Sequence, residues 1–252
     1  MDQVLANRGQ LSTIRKAARG FRIADDILDK LLTIVFILLF LMGAYVAYDA
    51  AFVYTNTVSK NISVYRPSFD PENPDEGYTL ADLSDDAMGW LYIDDTSIDF
   101  PIMRSDDNAF YLNHDPLGHF VLSGSIFMDF QCSGDFSDPF TVIHGHHMEG
   151  GAMFGVLQEY LDGNYFDSHR TGQIVTRDGR LLKLEVFAVG IVSGYDDMIY
   201  DPQYAGEVMR EYIPYIAMFY HEPFSYDHVL CLSTCKTPRS TDRIVVFCAV
   251  SE

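Results

Sequence analysis

The chain has 252 residues, of which 48% are hydrophobic and 14% aromatic, so it can bury a core and is not a disordered or low-complexity protein. Its formal charge is −19, from 17 Lys and Arg against 36 Asp and Glu. That balance argues against a nucleic-acid binder, which needs a basic surface to displace counterions from phosphates.

The N-terminal region differs from the rest of the chain. Residues 1–30 hold six basic and four acidic groups, and the eighteen residues 31–48, LLTIVFILLFLMGAYVAY, are uncharged. A membrane-spanning helix needs about 20 apolar residues. A cleaved signal peptide is the alternative, but its apolar core is usually about 7–15 residues long and follows a short basic start. We therefore predict a retained transmembrane helix at 31–48, with residues 1–30 cytoplasmic and the C-terminal domain extracellular, because basic flanks stay inside.

The segment after the span is acidic and contains several prolines. Residues 49–78, which include SFDPENPDEG, predict a stalk or linker outside the membrane. Thr79 is placed to cap a short helix. Short apolar runs bounded by turn residues follow and predict strands. The predicted strands are Leu91–Ile93, Ile98–Ile102, Gly124–Met128, Phe140–His144, Gln173–Thr176, Leu181–Val192, Asp227–Ser233 and Ile244–Val250.

Two segments have helical spacing, Met153–Tyr160 and Pro202–Tyr220. The predicted buried face of the second consists of Val208, Tyr212, Ile213 and Ile216. The last strand is apolar without alternation, which indicates burial on both faces. Many short strands with inserted helices predict a mainly β domain at residues 79–252, folded as a closed or nearly closed β-barrel.

Candidate catalytic residues lie at the ends of three predicted strands. TVIHGHHM (141–148) runs into a glycine turn, LCLSTC (230–235) ends at Cys235, and DRIVV (242–246) places Arg243 at the start of the last strand. Antiparallel pairing across the loop that contains Pro238 would make Cys235 and Arg243 neighbours. A cysteine with a histidine supports nucleophilic acyl chemistry, and an arginine can stabilise an oxyanion. A buried structural cysteine and a solvated arginine are the alternatives, as is a metal site made of His144, His146 and His147.

The pattern resembles the signature of sortases, the membrane-anchored cysteine transpeptidases of Gram-positive bacteria. LSTC followed eight residues later by arginine, with an upstream Gly-His after a strand, carries the resemblance. The segments 89–112, 123–130 and 145–157 resemble class B sortases in order and spacing, and the helical stretch 202–220 resembles their insertion. About 165 residues, from Gly89 onward, fall under the resemblance.

The resemblance assigns roles by position. Cys235 corresponds to the nucleophile, His146 to the catalytic histidine after Gly145, and Arg243 to the arginine; His147 is the rival to His146. Cys231 stands where the family usually has threonine, and we expect it to be a small buried residue. The positions that match the peptide groove of the family are Asn108, Leu112, Ser233, Thr234, Met198 and Ile199.

The resemblance also implies a reaction. Cys235 would cleave a C-terminal sorting motif of surface proteins after threonine and form a thioester. An amine of a peptidoglycan precursor or a pilin would then release it. No cofactor or metal is needed, and the implied partners are these proteins, the amine and membrane lipid, with no nucleic acid. A cysteine peptidase that releases the product to water and a catalytically silent binding module remain alternatives. We expect Cys132 and Cys248 to be reduced.

Overall fold

The computed structural model of the protein describes residue 22 and residues 25–48, 62–70, 77–201, 204, 207–237 and 240–252. The chain divides into two compact units, Met1–Phe52 and Val53–Glu252. Most of the predicted cytoplasmic segment and of the predicted stalk lies outside the described residues. So do Pro202, at the start of the second predicted helix, and Pro238, in the predicted hairpin loop.

The first unit contains one long helix, α1, at Asp25–Tyr48. It is long and apolar enough to cross a membrane, as an anchor or a signal sequence would be. The helix begins six residues before the predicted span. Asp26 and Lys30 form an exposed ion pair with Nζ and Oδ2 3.0 Å apart, which is the i, i+4 pairing of a helix.

The second unit is built on a β-barrel. β5 pairs with both β1 and β6, which closes an eight-stranded barrel, and β7 adds to the outer edge of β6. The pairs β2–β3 and β4–β8 are parallel. The predicted fold class is thus confirmed. The strands are β1 Ala87–Ile93, β2 Asp99–Met103, β3 Ile126–Met128, β4 Phe140–His144, β5 Thr171–Thr176, β6 Leu181–Ser193, β7 Ala217–Tyr220, β8 Val229–Cys235 and β9 Asp242–Ser251.

Short helices decorate this barrel. The described α-helices are α2 Leu80–Leu83, α3 Gly163–Ser168, α4 Asp197–Tyr200 and α5 Glu207–Ile216, and the 3₁₀ segments are Ser63–Tyr65, Phe110–Leu112, Glu149–Gly151 and Phe154–Leu161. The predicted helix at Met153–Tyr160 is the last of these 3₁₀ segments.

Two apolar layers meet at β9. Ile244, Val246 and Cys248 point into the barrel interior, while Val245, Phe247 and Ala249 pack in an outer cluster that includes residues of α5. All six side chains are buried. The predicted burial on both faces is confirmed, and it explains why this strand shows no hydrophobic alternation.

The predicted helix over Pro202–Tyr220 is too long. α5 ends at Ile216, two residues after Pro214, and Ala217–Tyr220 instead forms β7. Proline lacks the amide that a helix interior needs, and the edge of β6 offers partners to the extended chain. In the predicted apolar face, Ile213 is fully buried and Tyr212 and Ile216 are partly buried. The side chain of Val208 lies outside the described part.

The packed domain reaches further toward the N-terminus than the predicted boundary at residue 79. Ile62 is buried in a cluster with Leu80, Leu83 and Trp90. Thr79 is the N-cap of α2, where the Asp82 carboxylate accepts bonds from its amide and hydroxyl, each at 2.8 Å. Part of the predicted linker is therefore packed on the barrel.

Candidate active site

Two strand ends place Cys235 beside Arg243. Cys235 is the last residue of β8, Arg243 is the second residue of β9, and the two are direct partners in the antiparallel ladder. The predicted hairpin pairing is confirmed. Cys235 is partly exposed at this rim, so its thiol is accessible.

The parallel pairing of β4 with β8 brings the glycine-histidine turn to the same rim. His144 lies opposite Ser233 in the ladder. Beyond it, the Gly145 amide donates to the Ser233 carbonyl at 3.1 Å, and the Thr234 hydroxyl donates to the Gly145 carbonyl at 2.8 Å. These bonds fix the start of the loop that carries His146.

Glycine at position 145 avoids a clash with two core side chains. A Cβ there would come within 2.6 Å of both Ile126 Cδ1 and the Phe154 ring. The chain turns closely over these core side chains before it reaches His146.

The two neighbouring histidines have different surroundings. His146 Nε2 lies 2.7 Å from the Leu112 carbonyl oxygen, which can only accept, so Nε2 carries a proton and the neutral ring has its acceptor at Nδ1. His147 Nδ1 is buried without a hydrogen-bond partner in the described structure, and its side chain lines a separate groove with Glu149 and Tyr165.

Most of the predicted site residues line one cleft of about 330 Å³. Those that line it are Cys235, His146, Arg243, Asn108, Leu112, Ser233 and Thr234. Met198 and Ile199 are not among its lining residues. Ile199 is buried in the outer cluster, and α4 presents the next residue, Tyr200, to the cleft.

The wall of the cleft contains a buried carboxylate, Asp129, that the sequence does not predict as a site residue. Asp129 Oδ2 accepts from Asn108 Nδ2 at 2.7 Å and lies 3.1 Å from His144 Nε2, while Oδ1 accepts from the Gln131 amide at 2.9 Å. Burial alone would raise the pKa of Asp129. The bonds from His144, the Gln131 amide and Asn108 outweigh it and lower the pKa below the usual value.

Tyr200 extends this wall to the nucleophile strand. Its ring stacks on His144 with centroids 6.0 Å apart, and its hydroxyl lies 2.8 Å from Ser233 Oγ. Burial raises the pKa of Tyr200, so the phenol stays protonated. Hydrogen bonds thus link Asn108, Asp129 and His144, and Tyr200, stacked on His144, makes the hydrogen bond to Ser233.

The sequence contains only weak indications that Asp129, His144 and Tyr200 belong to the site. Asp129 directly follows a short buried strand, which is a frequent place for a functional side chain. The sequence offers His144 only as a metal ligand, whereas in the structure it bonds the Asp129 carboxylate. Tyr200 directly follows the predicted Met198 and Ile199, in a segment that matches the family only loosely.

Arg243 lies over the backbone of Gly194. A Cβ at Gly194 would come within 3.4 Å of Arg243 Cζ and 2.7 Å of the Thr241 carbonyl oxygen. Arg243 Nη1 is 3.5 Å from the Ser240 carbonyl oxygen. The guanidinium lines the cleft next to Cys235, where its planar donors can bind carbonyl oxygens or an oxyanion.

The other three cysteines have buried side chains. All four cysteines lie in the described part of the chain and are free thiols, as expected for Cys132 and Cys248. Burial raises the pKa of Cys132 to about 11 and that of Cys248 to about 12, and it raises the pKa of Cys231 well above its usual value. Cys231 is the small buried residue that we expected.

Comparison with known proteins agrees with this geometry. Residues 91–251 match the family model of the sortase domain. The chain is 39% identical to sortase B of Listeria monocytogenes over 123 residues, 49% of this chain and 48% of that protein. It is 28% identical to sortase B of Staphylococcus aureus over 199 residues, 75% of this chain and 77% of that protein. The match thus spans about half the length of the Listeria relative.

Solved structures give the same result. Sortase B of Bacillus anthracis superposes with a TM-score of 0.67 at 25% identity, covering 81% of this chain and 99% of that one. Spy0129, a class B sortase of Streptococcus pyogenes described as involved in pilus biogenesis, superposes with a TM-score of 0.63 at 29% identity, covering 68% of this chain and 96% of that one. Because the family model covers well over half of the chain and these relatives are all class B sortases, the protein belongs to the sortase family, in its class B branch.

Proposed function

We propose that the protein is a cysteine transpeptidase that joins surface proteins to an amine. The Cys235 thiol gives its proton to His146, the thiolate attacks the carbonyl carbon of a threonine in a C-terminal sorting motif, the peptide bond breaks, and the leaving amine takes that proton from His146. The resulting thioester is then attacked by a second amine, which forms a new amide and returns the thiol. The observation that carries this proposal is the convergence of Cys235, His146 and Arg243 in one cleft.

Each of the three residues has a role suited to its position. We assign the leaving-group proton to His146, whose imidazole the Leu112 carbonyl orients. Arg243 is permanently charged and is the direct ladder partner of Cys235, so we assign it the stabilisation of the oxyanion or the alignment of the peptide.

We assign peptide binding to the remaining cleft residues. Asn108, Leu112, Ser233 and Thr234 line the walls around the thiol, and Tyr200 of α4 lines them too, whereas Ile199 does not. Partly exposed Met198, next to it in α4, remains a candidate for the outer edge. The family resemblance requires no cofactor for this chemistry.

The acceptor is proposed to be an amine of a peptidoglycan precursor or of a pilin. Spy0129 is described as acting in pilus biogenesis, and sortase B of Staphylococcus aureus has been solved with a substrate. Both acceptors present a primary amine to the thioester, so the same cleft chemistry serves either one.

The test is mass spectrometry of the trapped thioester together with steady-state rates of peptide transfer. Cys235→Ala should abolish both thioester and product while peptide binding survives. His146→Ala should be nearly as damaging, and His147→Ala, the matched control, should keep most activity. Arg243→Lys should reduce turnover by about 10²–10³, the usual effect of removing one oxyanion contact.

These variants should remain folded, with the free energy of unfolding changed by no more than about 1–2 kcal/mol, because residues at the ends of the strands fill little of the core. Processing by Cys235→Ala, or an essential His147 with a dispensable His146, would contradict the assignment.

A peptidase that releases the product to water is the closer alternative. It differs only in which nucleophile reaches the thioester first. Product analysis with and without an added primary amine separates the two. A transpeptidase shifts to the amide product as the amine is added, and a peptidase continues to give the free acid.

We also propose that α1 anchors the protein in the cell membrane, with the N-terminus cytoplasmic and the catalytic domain extracellular. The motivation is the basic flank before the apolar run. Protease added to intact protoplasts should remove the C-terminal domain. Full protection of that domain would overturn the orientation.

A further inference from the structure

The connection between β2 and β3 carries a concentration of exposed apolar side chains. Twelve large hydrophobic side chains are exposed in the described part of residues 62–252, and five of them lie between positions 110 and 122. Phe120 and Leu122 are each 66% exposed. We call these five residues the apolar rim: Phe110, Leu112, Leu117, Phe120 and Leu122. Soluble domains rarely expose such clusters without a partner.

Ring contacts and hydrogen bonds within the connection between β2 and β3 hold the apolar rim in its conformation. The Phe110 ring stacks on His114 at 4.1 Å, and His114 meets Phe120 edge-on at 6.0 Å. The carboxylates of Asp107 and Asp115 accept bonds from backbone amides of the same loop. These two carboxylates are thereby used in turns, whereas Asp106 of the same loop is exposed, as are the five rim residues.

The rim is continuous with the candidate active site. Leu112 belongs to the rim and also lines the cleft, and its carbonyl oxygen accepts the bond from His146. Whatever covers the rim therefore lies at the mouth of the cleft.

We propose that the apolar rim inserts into the surface of the lipid bilayer that holds α1, so that the cleft opens toward membrane-bound substrates. This rests on the proposed function and anchorage. The chain from Tyr48 to Ile62 can span at most about 50 Å, so the bilayer stays within reach and the tether raises its effective concentration.

Because the protein is acidic, apolar contact with the acyl chains, and not attraction to anionic headgroups, must bind the rim to the bilayer. Acidic residues outnumber basic ones by 36 to 17, and such a surface is not drawn to anionic lipids. Aromatic and aliphatic side chains that enter the acyl boundary need no such attraction. Binding of the rim should therefore be insensitive to salt.

The test uses the full chain reconstituted in phosphatidylcholine vesicles with brominated acyl chains, which quench nearby tryptophan. Phe120→Trp places a reporter in the rim, with Leu122→Trp as a second reporter should the first misfold. Tyr215→Trp is the matched control, because Tyr215 is 84% exposed on α5. Trp90 is 2% exposed and gives a common background. We expect at least twofold stronger quenching of the rim reporters, unchanged at high salt.

Equal quenching of rim and control reporters would overturn the proposal. The proposal would also be contradicted if the rim reporters were not quenched and two copies of the chain could be cross-linked through the rim. That result would make the rim a contact between protein molecules.

A second measurement tests the consequence for activity. The double variant Phe120→Ser/Leu122→Ser should process a vesicle-anchored substrate at least fivefold more slowly and a soluble peptide at the unchanged rate. Equal loss on both substrates would contradict the docking role. An unsubstituted chain that is inactive on the soluble peptide would instead count against the proposed function, while the quenching result stands by itself.

Discussion

Burial separates the cysteines of this chain by reactivity. The thiolate is the nucleophilic form, and the raised pKa values of Cys132, Cys231 and Cys248 keep these three thiols protonated near neutral pH. Cys235 is the partly exposed thiol. We therefore predict that iodoacetamide at pH 7.5 modifies the native protein once, at Cys235.

Peptide mapping by mass spectrometry measures this, and the unfolded protein, which should take four labels, is the control. Modification of a buried cysteine before Cys235 would show that the barrel opens more readily than its packing implies.

We predict that Asp129 is a positioning residue, since its Oδ2 bonds Asn108 and His144 and its Oδ1 accepts from the Gln131 amide. Asp129→Asn should raise KM for the peptide more than it lowers kcat. It should also lower the free energy of unfolding at pH 7 by about 1.5–3 kcal/mol, the range for bonds to a charged group.

The pH dependence tests the role of the carboxylate charge. Because the native pKa of Asp129 is lowered, its stabilisation is fully present above the unfolded pKa near 4 and is lost as the pH falls through the native value. Urea unfolding at pH 7 and at pH 3 should therefore show a difference between Asp129→Asn and the unsubstituted protein that shrinks at pH 3. An equal difference at both values would attribute the effect to packing alone.

Without the family resemblance, which named Asn108 and His146, the candidate site could be predicted only where chemistry is tied to sequence spacing. Cys235 and Arg243 flank one hairpin, so ladder pairing alone makes them neighbours. Asn108, Asp129 and Tyr200 come from three distant segments, and their contacts depend on the closed barrel. Residue type alone could not show that Asp129 bonds His144.

The ends of β6 and β9 position Arg243. The Gly194 amide donates to the Thr241 carbonyl at 2.8 Å directly beyond the β6–β9 ladder. A Cβ at position 194 would strike that carbonyl and crowd the guanidinium of Arg243. Gly194→Ala should lower kcat/KM at least tenfold and destabilise the fold by about 1–3 kcal/mol.

Gly77→Ala is the control, because a Cβ there meets no atom within 4 Å. Peptide kinetics and thermal unfolding measure both effects. Unchanged kinetics in Gly194→Ala would mean that Arg243 does not depend on this close approach.

Strands were predictable to the extent that burial left a local pattern. β4 was predicted with its observed bounds, and β9 through its unbroken apolar run. The residues of β7 follow a helical pattern without a turn signal, and they become a strand only because the edge of β6 is available for pairing. Tertiary pairing outweighed local propensity at that point.

The contacts of the segment 62–70 decide where the packed β-barrel domain begins. Arg66 Nε lies 2.8 Å from both carboxylate oxygens of Asp99, and Asp99 also accepts from Trp90 Nε1 at 2.7 Å. With buried Ile62, these contacts fasten the segment to β1 and β2. The sequence placed the boundary at residue 79 because proline and acidic residues resemble a linker, and no local pattern reveals a partner that lies 33 residues away.

Two truncations test this boundary. The chain that lacks residues 1–48 should be folded, monomeric and active on a soluble peptide, because α1 forms a separate compact unit. The chain that lacks residues 1–78 should lose at least about 2 kcal/mol of unfolding free energy, since burial of one isoleucine contributes about 1.5–3 kcal/mol and Asp99 loses its arginine. Urea unfolding and peptide transfer measure both, and Ile62→Ala in the longer chain isolates the apolar part. Equal stability of the two truncated chains would show that residues 62–70 are an appendage, whereas an unfolded longer chain would show that the domain depends on α1.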